Sequence, residues 1–306
     1  MTRSVLVTGS SGFLGTAMME RLGDRGLSCD IKIGRPITEV VGTPEFSRVD
    51  TIVHCAAVQL FTPGYDLRRY ETFQRMNVDA ADQLLAAAAK AGVRKVIHIS
   101  TDMVYGVPPE RPLSPDDPLN PVGFYGRSKV AAEAVVRDYA SHFEVVTILR
   151  PRVIGGPGRG GLFETITRLL QRRLPIPVFG NGRNRFQMIH VEDFADLILE
   201  AVDRDVAGTY NAGSTEVTTL RAKLDAIATL LHRTPFVLPI PESFAVALCG
   251  LLYTLGVGPL HPEQYCIAGR TFVLDIERTL AAFRWRPKYG DNDVVLDAAR
   301  ALTGVD

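Results

Sequence analysis

The stretch Ser4-Val5-Leu6-Val7-Thr8-Gly9-Ser10-Ser11-Gly12-Phe13-Leu14-Gly15 decides how this chain folds. Its short apolar opening reads as a buried strand, and the segment from Phe13 to Arg25 reads as a helix. Between them the glycines fall in a GxxGxxG pattern. Glycine lets the backbone turn tightly and come close to a pyrophosphate, whose charge then rests against the free N–H groups that open the helix. Strand, glycine loop and helix in this order predict a dinucleotide site, with Gly9, Ser11, Gly12, Phe13, Leu14 and Gly15 as candidate contacts.

Outward from this stretch, the first half alternates strand and helix patterns. Strands are expected at Ser28–Ile33, Thr51–Cys55, Lys95–Ser100 and Val145–Leu149, with helices at Asn77–Ala91 and Gly126–His142. Such alternation predicts βαβ units, and so an α/β fold with a doubly wound parallel sheet covered on both faces. The segment Arg35–Val49 is short for a full crossover and is expected to hold a brief strand at Thr38–Val41. After Arg150 the character changes: Pro and Gly cluster at Pro151–Gly161 and Pro175–Gly182. Helical patterns follow at Leu162–Arg173, Val191–Asp203 and Leu220–Leu231. Residues 1–150, regaining about 181–211, are therefore expected to form a dinucleotide-binding domain. Residues 151–180 and 212–306 are expected to form a smaller C-terminal substrate lobe.

Bulk properties narrow the function. Lys plus Arg and Asp plus Glu both number 34, so no net field recruits nucleic acid or an anionic membrane. The longest apolar stretch, Phe244–Val257, is broken by Gly250 and Gly256. It is shorter than the ~20 residues of a membrane span and reads as a core or lid helix. The four cysteines lie far apart without a CxxC pair, which fits a reducing cytoplasm. Cys29 and Cys55 fall in strand-like stretches, as small buried hydrophobes do. His54, His98, His190 and His261 lack ligand spacing, so no metal is expected, and His190 reads as a packed structural residue.

In dinucleotide sites an acid near the end of the second strand, about 20 residues past the first glycine, holds the ribose. Here that place reads Ile33-Gly34-Arg35, and the nearby carboxylate, Asp30, falls inside the strand pattern. Arg35 without an acid suits a 2′-phosphate, so NADP is the expected cofactor, with NAD as the alternative.

The chemistry is expected around Tyr125-Gly126-Arg127-Ser128-Lys129, which sets Tyr125 and Lys129 at i and i+4 on one helix face. A carbonyl being reduced needs a proton donor, and an alcohol being oxidised needs a base. A free phenol, with a pKa of ~10, is a poor base at neutral pH, and a neighbouring ammonium lowers that value. The strand Lys95–Ser100 delivers Ser100, Thr101 and Asp102 at its carboxyl end, where open α/β sheets bind ligands. A hydroxyl there can reach the reacting oxygen beside Tyr125.

These motifs resemble the extended short-chain dehydrogenase/reductases of the NAD-dependent epimerase/dehydratase type. The matching stretches are TGSSGFLG (Thr8–Gly15), HCAA (His54–Ala57), NV (Asn77-Val78), HISTDMVYG (His98–Gly106), YGRSK (Tyr125–Lys129) and LRP (Leu149–Pro151). FGNG (Phe179–Gly182), IHVEDFA (Ile189–Ala195) and YNAGS (Tyr210–Ser214) extend the likeness. The resemblance implies a Rossmann fold, NAD or NADP, and often a homodimer. It makes Thr101 the active hydroxyl and Tyr125 the acid/base. Lys129 would lower the phenol pKa and hold the nicotinamide ribose, Asn77 would support the cofactor end, and Ala56, Ala57 and Ser100 would line the cofactor.

The family's sugar 4,6-dehydratases continue their motif Thr-Asp-Glu, but here Met103 stands for the Glu, and a thioether is no base. Dehydration is therefore disfavoured, and Asp102 is left to orient Thr101 or a substrate hydroxyl, or to cap a turn. Arg152, Arg185 and Arg270 are the candidate cations for a substrate diphosphate. The arginine that usually precedes IHV is displaced to Arg185. The expected function is an NAD(P)-dependent oxidoreductase of a nucleotide-linked sugar, reducing a keto-sugar with Tyr125 as proton donor. The alternatives are a sugar-nucleotide 4-epimerase with retained NAD, a 3β-hydroxysteroid-type dehydrogenase of a lipophilic alcohol, and a non-catalytic dinucleotide-binding module.

Overall fold

The computed structural model describes residues 4–258 and 260–305. In chain order, β1 (Ser4–Thr8), α1 (Phe13–Leu22), β2 (Gly26–Cys29), α2 (Ile37–Val40) and β3 (Val49–His54) come first. Then follow α3 (Tyr70–Phe73), α4 (Ala80–Ala91), β4 (Lys95–Ile99), α5 (Phe124–Asp138), β5 (Val145–Pro151) and β6 (Val153–Gly155). Next are α6 (Leu162–Gln171), β7 (Ile176–Phe179), β8 (Met188–His190), α7 (Val191–Asp203), β9 (Gly208–Ala212), α8 (Leu220–Leu230) and β10 (Val237–Ile240). The chain ends with α9 (Glu242–Thr254), α10 (Pro262–Tyr265), α11 (Glu277–Ala282) and α12 (Asp291–Thr303).

The main sheet has six strands in the order β2-β1-β3-β4-β5-β9. Each neighbouring pair is parallel. Alternate side chains of each strand point to opposite faces, and the sequence uses both faces for apolar residues. Val5, Val7, Val53, Ile97, Ile99 and Leu149 pack with α1 and α7, through Met18, Leu22, Phe194, Leu197 and Ile198. Their neighbours Leu6, Ile52, Val96 and Ile148 pack on the other side with Leu84, Leu85 and Ala88 of α4 and Val136 of α5. Each such fully buried side chain contributes about 1.5–3 kcal/mol over its exposed state. The doubly wound Rossmann sheet expected from the alternating pattern is the one observed.

A further apolar core joins Phe163, Ile166 and Leu170 of α6, Leu224 and Ile227 of α8, and Val294 and Val295 of α12. Phe283 and Trp285, by contrast, pack into the core beneath α1 and α7. So the tail returns to the sheet before α12 crosses to the second core.

Three expectations change. The brief strand at Thr38–Val41 is instead the helical turn α2, because Pro36 at its N-cap and only a few residues of connection leave no length for a ladder. The strand expected at Ser28–Ile33 ends at Cys29 and passes into a tight turn over Ile31–Ile33. Gly34, at φ 69°, closes that turn. Of the core or lid helix expected at Phe244–Val257, the core reading falls: α9 lies at the surface, with Phe244, Leu248 and Leu251 exposed and Ala245 its buried residue. Among the described residues, no helix is long and apolar enough to cross a membrane.

Candidate active site

The carboxyl ends of β1 to β5 form one edge of the sheet, and the expected site residues collect there. Gly9 leaves β1 at φ 69°, a conformation that suits glycine. A Cβ at that position would stand 2.9 Å from the Ala56 backbone. Gly15 packs against the loop in turn, since a Cβ there would lie 2.7 Å from Ser10 Cα. The loop is thus pressed between the exit of β3, at Ala56 and Ala57, and the start of α1. The free N–H groups of that helix follow its N-cap, Gly12, which has no side-chain cap and whose own N–H donates to the Gly9 carbonyl at 2.9 Å. Ser10 Oγ is buried without a hydrogen-bond partner in the same loop. A cradle without Cβ atoms, an uncapped helix end and an unmatched hydroxyl fit a dinucleotide pyrophosphate.

Asp30 sits just past the end of β2. Its carboxylate accepts hydrogen bonds from Ser11 Oγ at 2.6 Å and Ser11 N at 3.1 Å, and from Lys32 N at 2.8 Å. Burial works against its charge, but those hydrogen bonds outweigh it and hold the carboxyl below its usual range. Dinucleotide sites carry their ribose-binding acid near the end of the second strand. Asp30 was expected inside a strand because Ser28–Ile33 reads as one continuous run, and it lies at the start of the turn instead. Arg35, taken there as the decisive residue, instead pairs with Glu45 at 2.8 Å on the exposed side of the turn.

Thr101 follows β4 and caps the short turn Asp102–Val104, accepting from Met103 N at 3.3 Å. Its hydroxyl donates to Asp102 Oδ1 at 3.1 Å, and its side chain also meets the Tyr125 phenol. Asp102 pairs in turn with Arg152, whose guanidinium lies between the rings of Phe186 and Phe272, 4.8 and 4.3 Å from their centroids.

Tyr125 and Lys129 lie one turn apart on α5, both buried. Lys129 Nζ donates to the carbonyl of Ile99 at 2.6 Å. Burial brings its pKa down to about 8, against the pull of Glu133 and Cys55. For Tyr125 the outcome reverses the expectation of a lowered pKa. Burial, and then the Asp102 charge, push the phenol well above its ordinary value, which keeps it protonated. Beneath the pair, the His54 and His98 rings lie tilted at 35° with centroids 5.3 Å apart. Burial and the nearby Lys129 charge hold both imidazoles neutral, His54 down at about 3.

Asn77 lies in a π-helical segment, Gln74–Asp79, between α3 and α4. It grips the Val58 backbone through both its amide atoms, at 2.7 and 3.0 Å, and donates to Ser128 Oγ at 3.0 Å. It therefore braces the loop after β3 against α5. Ser100, expected to line the cofactor, is committed elsewhere. Its hydroxyl donates to Glu133 at 2.5 Å, and Glu133 holds Arg150 at 2.9 and 2.7 Å. This buried network ties α5 to β5, and no sequence motif announced Glu133.

The expected substrate arginines do not converge. Arg152 is buried in its pair with Asp102 and is not free to meet a diphosphate. Arg270 pairs with Glu242 at 2.7 Å on the surface. Arg185 is exposed, in a strand-like bridge to Thr219. A cation the sequence reading passed over does reach the mouth: Arg159, from the Gly/Pro loop, lies 5.4 Å over the Phe13 ring and donates to Gln59 at 3.3 Å. His190 is packed as expected, stacked on Tyr289 at 4.0 Å with its Nδ1 accepting from Glu192 N. No cluster of metal-ligating side chains occurs among the described residues.

The chain is similar to known proteins over most of its length. A model of the NAD dependent epimerase/dehydratase family matches residues 5–213. The chain is 26% identical to an uncharacterized protein of Sinorhizobium fredii, over 97% of its own length and 78% of that protein's. It is 25% identical to the UDP-glucose 4-epimerase of Vibrio cholerae, over 94% and 92% of the two chains. Its fold is similar to that of the UDP-glucose 4-epimerase of Thermus thermophilus in complex with NAD. There the identity is 22%, the coverage 98% and 99%, and the TM-score 0.77. With the glycine loop, the strand-end hydroxyl and the Tyr–Lys pair on one edge of the sheet, and the family match spanning most of the chain, the protein belongs to the NAD-dependent epimerase/dehydratase family of short-chain dehydrogenase/reductase enzymes.

Proposed function

We propose that the chain is a sugar-nucleotide 4-epimerase that keeps NAD⁺ bound through turnover. The observation that carries this reading is Asp30 on Ser11 at the end of β2. A carboxylate there accepts from ribose hydroxyls and repels a 2′-phosphate, which supports NAD over the NADP expected from Arg35. Bound NAD⁺ supplies a hydride acceptor that can return the hydride. Gly9 to Gly15 would hold its pyrophosphate, Asp30 its adenosine ribose, and Lys129 its nicotinamide ribose.

The positive charges of Lys129 and of bound NAD⁺ would favour the phenolate, so that Tyr125, its own proton released to solvent, would take the proton of the sugar C4 hydroxyl as hydride leaves C4. It would return that proton to the same oxygen in the reverse transfer. Thr101 would stand beside that oxygen, its rotamer fixed from behind by its bond to Asp102 and by Arg152 on Asp102. Arg159 is our candidate for the substrate diphosphate, with the second lobe, residues 151–180 and 212–306, covering the sugar.

The test is to supply UDP-galactose without added cofactor and follow UDP-glucose. Interconversion that is lost in Tyr125→Phe is the expected result. A specific observation favours a second reading, a keto-sugar reductase: burial and Asp102 hold the phenol in its proton-donating form. Failure to interconvert UDP-sugars, with uptake of external NADPH and reduction of a 4-keto sugar nucleotide, would replace the first reading by this one.

A further inference from the structure

Helix α5, which carries Tyr125, begins at Gly123, a residue with no side chain to cap it. The first N–H groups of a helix need partners, and negative charge is favoured there. The partner comes from 138 residues away. Glu263 of α10 is 3% exposed, and its carboxylate accepts from Tyr125 N at 3.2 Å and Gly126 N at 3.3 Å. Gly123 makes room for it: a Cβ at Gly123 would lie 2.6 Å from Glu263 Cδ.

The segment that delivers Glu263 is fastened at its own end. His261 N donates to Gln264 Oε1 at 2.9 Å, and Arg68 donates to the carbonyls of Tyr253 at 2.9 Å and Gly258 at 3.3 Å. We propose that Glu263 is a positioning residue for Tyr125: reaching in from the second lobe, it closes the open first turn of α5 and sets where the phenol stands. The inference rests on Tyr125 being the acid/base.

Charge adds to position. Arg127 and Tyr125 face Glu263 from α5, while Asp102, Thr101 and Arg159 face the phenol from the other elements. Ionised Glu263 opposes loss of the phenol proton. Burial lifts the Glu263 carboxyl to about 7, against the N–H groups of Gly126, Tyr125 and Gly123. Its folded pKa is above the ordinary carboxyl value, so the stability it contributes is present at low pH and is lost as pH rises through about 7.

The experiment compares wild type, Glu263→Gln, Gly123→Ala and Tyr125→Phe in pH profiles of kcat and KM and in thermal unfolding between pH 5 and 8. Glu263→Gln keeps an acceptor but no charge. Its ascending limb of kcat should move to lower pH by about half a unit, KM should stay within about twofold, and the loss of thermal stability through pH 7 should flatten. Gly123→Ala keeps the charge but displaces it, and should lower kcat by about tenfold with little change in KM.

A Glu263→Gln limb that stays in place, with a Gly123→Ala kcat equal to wild type, would reduce Glu263 to a structural cap and overturn the proposal. If the variants do not fold, the wild-type unfolding profile decides, because a stability flat between pH 5 and 8 contradicts a buried, ionising Glu263 on this helix. Full turnover in Tyr125→Phe would instead break the acid/base reading itself.

Discussion

The two sides of the site are built differently. On the cofactor side, backbone geometry does the holding: Gly9 in its left-handed turn, the open start of α1, and Asp30 clasping Ser11. On the substrate side, the charges expected to reach outward are turned inward or paired off. Arg152 is locked to Asp102 between two phenylalanine rings, and Arg270 is held by Glu242. A site made by backbone follows from residues close together in sequence. A site made by long side chains depends on which distant partner captures each one.

The contrast can be broken at four places. Tyr125→Phe removes the proton path and should lower kcat by roughly 10²- to 10⁴-fold with NAD binding intact, measured by steady-state kinetics and equilibrium binding. An unchanged kcat would move the chemistry off α5. Next, Arg152→Ala leaves Asp102 buried and unpaired, at a cost of about 3–5 kcal/mol in unfolding free energy by denaturant titration. A loss below about 1 kcal/mol, with substrate KM rising instead, would restore Arg152 as a substrate cation.

Asp30→Ala should weaken NAD binding by about tenfold while NADPH binding holds or improves, read by fluorescence titration. Equal losses for both cofactors would remove Asp30 from the ribose. The smallest effect is expected for Arg270→Ala, whose partly exposed pair with Glu242 contributes about 0–1 kcal/mol. Its KM should match wild type, and a large rise would return Arg270 to the substrate.

The sequence made the sheet legible because strands buried on both faces read as short apolar runs between helical patterns. The meeting of Thr101, Tyr125 and Lys129 was legible because a strand end and i, i+4 spacing place side chains locally, while the choice of Thr101 over Ser100 came from the family resemblance. Asp30 was misplaced for a local reason: Ile31 and Ile33 extend the apolar alternation of β2, although both are exposed on the turn that follows. Glu263 had no local signal at all. Its partner helix lies 138 residues earlier, and an acid after Pro262 reads as an ordinary first-turn residue. Ser100 was assigned to the cofactor by its position, but a hydroxyl goes to the strongest acceptor nearby, and that is Glu133. The phenol pKa failed for a similar reason. Spacing shows the ammonium one turn away, but not the burial and the Asp102 charge that raise the phenol.

Selection of the cofactor by Asp30 rather than Arg35, as proposed, is tested most directly by the cofactor that leaves freshly purified protein on denaturation. Close to one NAD⁺ per chain, with little NADP⁺, is the predicted result. Protein that comes out empty and binds NADPH more tightly than NADH, with that preference lost in Arg35→Ala, would contradict it.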